Sequence, residues 1–286
     1  MDKIINVGIP HIGEQIFSKL KISTLLELRF VSQTWKEHAE NVLLDKLREP
    51  GMPINPVNLV AAKCYNCLRI TEKDRIELFR LLLELDHPKT KNIDWNARCE
   101  NDRCERTSLI KACDFDKPRI VQLLLEFSDI KSIDLNAQDE DGATAFFAAC
   151  AGGKANVVNK FLAVPKAKNI DLNKTEKDGF NGFMAACSEG NKEVVEQLLD
   201  FAEEKGIELN ARSKYVPPAF ELACRRGHKD VVELLLDYRS AGNPIDLPSV
   251  EEMEGWNCDD EINKLVRKAL LFKSSFKRPS KRMRLM

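Results

Sequence analysis

The chain has 286 residues, of which 43% are hydrophobic and 31% charged, the ordinary composition of a soluble protein with one or two domains. The formal net charge is −1, and the six Lys or Arg of residues 273–286 leave −7 on the remainder, which opposes attraction to phosphate. No apolar run of about 18 residues is present, so no membrane span is expected.

In chain order, the start, MDKIINVGIPHIGEQ, lacks the long apolar core of a secretory signal. Ile12, Ile16 and Leu20, spaced by four with Phe17 beside them, predict a first helix with one apolar face. Thr24 with Glu27 reads as a capping box opening a short second helix through Leu25, Leu26 and Leu28. Val31-Ser32 breaks it, and a third helix carries Trp35, Ala39, Val42, Leu43 and Leu47. So small a unit buries little surface by itself, and its large apolar side chains suggest a partner surface.

The string IPHIGEQIFSKLKISTLLELRFVSQTWKEHA resembles an F-box. It holds the apolar-Pro pair Ile9-Pro10, then Ile16, Phe17 and Leu20, the pair Leu25-Leu26, and Val31 with Trp35. Pro10 lies one residue closer to Ile16-Phe17 than the family pattern has it. The resemblance implies a three-helix unit over residues 1–48 that docks on the Skp-type adaptor of a cullin ubiquitin ligase. Pro10, Ile16, Phe17, Leu20, Leu25, Val31 and Trp35 would form that surface. The alternative is a helical cap for the remainder of the chain, with Trp35 as plain core.

Residues 49–56 carry three prolines and a glycine, which predicts a stiff linker and a domain boundary. Asn58 to Leu68 and Thr71 to Leu85 read as a degenerate helix pair, with Thr71 and Asp74 as cap and Ile76, Phe79, Leu82 and Leu83 as buried stripe. Four regular units come next. Ala112-Cys113, Ala149-Cys150, Ala186-Cys187 and Ala223-Cys224 recur every 37 residues, as do Leu125, Leu162, Leu199 and Leu236. The tail asparagines Asn136, Asn173 and Asn210 keep the same step. Each unit holds two short amphipathic patterns separated by a Gly turn, and neither can bury its face alone, so neighbours must stack. Ala and Cys at the closest slots let helices approach with little between them. An odd count of nine cysteines, four of them in those slots, is core usage in a reducing compartment rather than a disulfide framework. Cys64-x-x-Cys67 with Cys99 and Cys104 has zinc-like elements, but one pair lies in an apolar helical stretch and the other in a polar finger, so these read as structural thiols.

DGATAFFAACAGG and DGFNGFMAACSEG resemble the ankyrin repeat in their turn, first-helix and Gly slots. The period is about four residues longer than the family's ~33, which suggests a second helix one turn longer. Together the readings give an all-α chain: an N-terminal three-helix F-box, then an α-solenoid of stacked helix pairs over residues 57–247. Residues 248–272 close the stack with a helix capped by Asp259 or Asp260. The basic tail, 273–286, reads either as a nuclear import signal at Lys277–Arg282 or as a solvated basic segment.

No phosphate loop, nucleophile elbow or zinc-protease motif occurs, and the four histidines are scattered, so a non-catalytic protein without cofactor or metal is expected. The ankyrin resemblance implies partner binding at finger tips and first-helix ends. The candidates are Arg103, Phe115, Lys177, Phe180, Glu189, Tyr215, Arg225 and Arg226. The expected function is that of a substrate receptor: the F-box holds a Skp-type adaptor and cullin, the array holds an unidentified target protein. Such a receptor is expected to be monomeric outside the complex, to touch neither nucleic acid nor membrane, and to be cytoplasmic, or nuclear through its tail. A scaffold with no ubiquitin role, or a microbial effector borrowing a host ligase, would use the same two parts.

Overall fold

The computed structural model describes residues 21–29, 33–47, 56, 71–85, 90, 93–98, 105–165, 168–256 and 258–271. Among them no β-strand forms, and thirteen helices build two layers. Near the N-terminus, α1 (Ile22–Leu28) and α2 (Gln33–Leu47) pack on each other. The expected capping box is not there: α1 already starts at Ile22 after an extended Lys21, so Thr24 lies inside its first turn. That extra turn puts Leu25 and Leu26 in mid-helix, both buried, opposite the buried Ala39, Leu43 and Leu44 of α2.

α3 (Glu72–Glu84) begins with the predicted capping box, Thr71 accepting from the Asp74 amide while the Asp74 carboxylate reaches back. Its buried set is wider than one stripe, adding Leu78 and Leu81 to Phe79, Leu82 and Leu83. The reason is contact on two sides: α1 packs on α3, and so does the second helix of the following unit. The N-terminal helices are therefore seated on the stack and not held by a linker alone.

The four regular units are α4 (Ser108–Asp114) with α5 (Pro118–Glu126), α6 (Ala145–Ala151) with α7 (Ala155–Ala163), α8 (Gly182–Ser188) with α9 (Lys192–Lys205), and α10 (Ala219–Arg225) with α11 (Lys229–Ser240). First helices stack α4–α6–α8–α10, and second helices stack α3–α5–α7–α9–α11. The Ala-Cys slots lie in the first-helix contacts, where Ala112, Ala149, Ala186 and Ala223 and the four cysteines have no exposed surface. Gly182 belongs to the same contact: a Cβ there would stand 3.1 Å from the Cys150 sulfur and from the Phe146 ring.

Each first helix starts on a side-chain cap in a repeated slot. Thr107, Thr144 and Asn181 accept from the amides of Ile110, Phe147 and Met184. The fourth unit has Pro218 there and no such bond. Two first helices, α6 and α8, end on a side chain from the next unit. Asn191 donates to the carbonyls of Cys150 and Ala151, both at 2.9 Å, and His228 Nε2 lies 2.8 Å from the Ser188 carbonyl. A carbonyl can only accept, so Nε2 of His228 carries the proton. Gly190, left-handed at φ +70°, leaves the room that the His228 ring fills.

The extra residues of the long period are helical in only half of the units. α9 and α11 run to 14 and 12 residues, but α5 and α7 stop at nine. Pro165 comes directly after the Val164 cap of α7 and cannot continue a helix. After α5 the chain continues in tight turns, with the Ser128 hydroxyl bonded to the Leu125 carbonyl and Ser132 left-handed at φ +51°.

The tail asparagines form a ladder along the stack. Asn136 donates to the Asn169 carbonyl at 3.0 Å and accepts from the Asp171 amide at 2.8 Å. Asn173 repeats the pair with Gly206 and Glu208, Asn210 with Pro244 and Asp246, and Asn96 with Ser132 and Asp134. Only an amide both donates and accepts at this reach, which is why the slot is Asn each time. At the C-terminal end, α12 (Val250–Glu254) opens with a Ser249–Glu252 capping box, and α13 (Asp260–Leu271) packs on α11. α13 buries only Ile262 and Val266, leaving a polar outer side that closes the stack.

Two substitutions test these contacts. Ala186→Leu forces extra volume between α6, α8 and α10 and should cost about 1–3 kcal/mol, read as a fall in urea midpoint. A midpoint equal to the parent's would show that the slot is not a close contact. Asn173→Ala removes two bonds between units and should also cost about 1–3 kcal/mol. Asn173→Asp keeps the acceptor and should lose less; equal losses for both variants would rule out the ladder.

Candidate protein-interaction surface

The two layers leave one side of the first helices open to solvent beneath the finger turns. Their open side is lined by small or partly buried residues because the opposite side holds the Ala-Cys contacts. Between the fingers and α6 and α8 lies a groove of about 500 Å³. Its floor is apolar, made by Phe147, Ala148, Ala151, Phe180 and Ala185. Phe147 and Phe180 are half-buried, so part of each ring faces the opening.

The walls are charged, and some of those charges also build the fingers. Asp139 accepts from the amides of Asp141 and Ala143 at 3.0 and 2.8 Å. Glu176, 37 residues on, accepts from Asp178 at 2.8 Å and Phe180 at 2.9 Å. Adjacent fingers are joined where the Lys177 amide donates to the Asp141 carbonyl at 3.0 Å. Arg106 spans the groove's first end, 3.0 Å from Asp114 and 3.4 Å from Asp139. Glu189 and Arg226 lie exposed at the helix ends on the opposite wall.

A second recess of about 250 Å³ lies where α10 meets the C-terminal segment. Arg225 stands over the Trp256 ring at 5.8 Å and is 2.5 Å from Glu221, while Arg212 reaches Asp246 at 3.2 Å. Trp256, which the repeat pattern does not reach, supplies its aromatic wall.

The sequence candidates divide over these features. Phe180, Glu189 and Arg226 meet in the first groove, and Arg225 lies in the second recess. Phe115 is 42% exposed at the end of α4, with Lys111 5.7 Å from its ring. Lys177 is exposed on its finger, and Tyr215 is 80% exposed on the next, with Lys214 5.4 Å from its ring; neither lines the groove. Phe180 thus lines the groove, while Tyr215 stands on the finger tip outside its lining. Arg103, like Pro10, Ile16, Phe17, Leu20 and Val31, lies outside the described residues, as does the side chain of Trp35. Leu25 has no exposed surface, and its side chain is core of this chain. Cys64, Cys67, Cys99 and Cys104 also lie outside the described residues. Sequence reasoning missed Arg106, Asp139, Phe147 and Glu176 as groove residues. The 37-residue step between Asp139 and Glu176 was the available signal.

An open stack of helix pairs with a groove beside its first helices is the architecture of a protein-interaction module. The family model described as ankyrin repeats (3 copies) matches residues 68–173, 109–213 and 160–246, together more than half of the chain. The chain belongs to the ankyrin-repeat family, whose members are typically non-catalytic interaction modules. The matches begin at residue 68 and leave the N-terminal helices outside them. No curated protein matches the chain.

The four thiols of the first-helix contacts are free and buried. Burial pushes the Cys150 and Cys187 thiols far above the ordinary range, and Cys113 and Cys224 likewise, with neighbouring charge adding to both. A raised thiol pKa keeps the protonated form as pH rises, and the thiolate is the reactive species. Alkylation of these four in the native protein should stay at background from about pH 7 to 9 and appear only on unfolding, while the half-buried Cys258 reacts. Peptide mapping by mass spectrometry reads this directly, and early labelling of Cys187 would contradict the buried slot.

Proposed function

We propose that the chain is a substrate receptor of a Skp–cullin–F-box ubiquitin ligase, with its array as the target-binding module. The ankyrin array, an interaction module, is one half of that reading. The other half is supported by the F-box landmarks Pro10, Ile16, Phe17, Leu20, Leu25, Val31 and Trp35, in order over about 30 residues before the stack. The packing of α1 on α3 gives the N-terminal unit a fixed seat, as a receptor needs to hold adaptor and target at a set separation.

The same packing favours a second reading, a scaffold whose N-terminal helices only cap the array. With Leu25, Leu26, Leu43 and Leu44 all buried, the unit has a structural use without any partner. The nuclear reading of the basic tail is an independent proposal that either function accommodates.

Trp35→Ala separates the two. As a receptor, the variant should lose co-purification of a Skp-type adaptor and cullin while its thermal midpoint stays within about two degrees of the parent. Leu25→Ala, which empties a core site, should instead lower the midpoint, at a cost of about 2–5 kcal/mol. If the parent chain itself recovers no adaptor, the receptor reading falls and the cap reading stands.

A further inference from the structure

We propose that the groove between the fingers and α6 and α8 takes an extended basic segment of a protein partner, with its cationic residues three positions apart. This rests on the reading of the array as a target-binding module. Six carboxylates line the groove against the guanidiniums of Arg106 and Arg226, which leaves four formal negative charges in excess. Arg106 is already engaged by Asp114 and Asp139. The carboxylates of Asp141, Asp178 and Glu189 are exposed and have no ion-pair partner among the described residues. Such a surface repels phosphate, so nucleic acid is the wrong partner.

The floor narrows the chemistry further. The half-buried rings of Phe147 and Phe180 offer apolar surface to the methylene stems of Arg or Lys, and their faces attract the cationic heads. An aromatic floor with free acidic walls suits a side chain that is apolar along its length and charged at its tip.

The spacing comes from the repeat. Asp141 and Asp178 occupy the same slot in adjacent fingers, 37 residues apart and joined through the Lys177 amide. Neighbouring helices in such a stack lie roughly 8–10 Å apart. An extended chain advances ~3.3 Å per residue, so three residues cover about 10 Å, one repeat. A segment running along the stack thus presents one cation to each of these two fingers when its basic residues stand at i and i+3.

The test is fluorescence anisotropy of the full chain with a labelled synthetic peptide carrying Arg at every third position and Ser or Ala between. Peptides with Glu in those positions, and with the same Arg count placed consecutively, serve as controls. Saturable binding that favours the three-spaced peptide, and that weakens as salt rises, is the expected result. The triple variant Asp141→Asn, Asp178→Asn, Glu189→Gln should weaken it about tenfold with an unchanged thermal midpoint. Equal binding of the consecutive-Arg peptide would overturn the register. Undiminished binding by the triple variant would overturn the site. A peptide copying residues 273–286 that displaces the probe at lower concentration than the unlabelled probe would make the chain's own tail the occupant and overturn the partner assignment. Adaptor capture through the N-terminal unit is scored on the same triple variant, so failure of the groove is distinguished from failure of the receptor reading: loss of peptide binding with adaptor capture intact is the groove's own signature.

Discussion

The constraint on which the structure depends is the close approach of first helices at the Ala-Cys slots. Those side chains are small enough to bring α4, α6, α8 and α10 into contact, and they are fully buried there. Once that distance is fixed, the finger above and the second helix below each unit are carried along at the same step. The asparagine ladder repeats the step at the other end of each unit, through hydrogen bonds between neighbours. Packing sets the separation and the ladder sets the register. Neither could do both, because packing tolerates small slides and a few polar bonds bury no apolar area.

Much of this was legible because a repeat shows each slot several times over. The helix pairs, the Gly turns, the buried cysteines and the Thr71 capping box all derive from pattern. The ladder was visible only as a recurring asparagine, since its partners lie about one period away and carry backbone atoms, which leave no trace in residue type. The length of the second helices was half legible: Pro165 forbids continuation after α7, but nothing as plain ends α5. The Ser249–Glu252 capping box that opens α12 is legible in the sequence by its Ser-x-x-Glu spacing, though it lies beyond the last repeat. The start of α1 was misplaced because Thr24 and Glu27 fit a cap equally well as interior residues of a helix that begins earlier.

The groove was the least legible part for a related reason. Asp139 and Glu176 look like turn residues, and they are, each holding two finger amides. Their charge nevertheless contributes to the field of the surface beside them. A finger built on a carboxylate gives its groove an acidic wall as a by-product of folding, while Asp141, Asp178 and Glu189 add charge that folding does not use. Tyr215 is a different kind of candidate, a ring exposed at a finger tip rather than part of a concave wall.

Stacked units couple chiefly to their neighbours, so a change at one end weakens with each interface it must cross. α1 packs on α3, and α3 packs on α5, so several interfaces lie between the N-terminal helices and the groove at α6 and α8. Under the receptor reading, a partner at the N-terminal helices would be fixed in position relative to the groove yet only weakly coupled to it in energy. That arrangement suits a molecule whose two ends act together through geometry: occupancy at one end need not change affinity at the other for the two bound molecules to be brought to a defined separation.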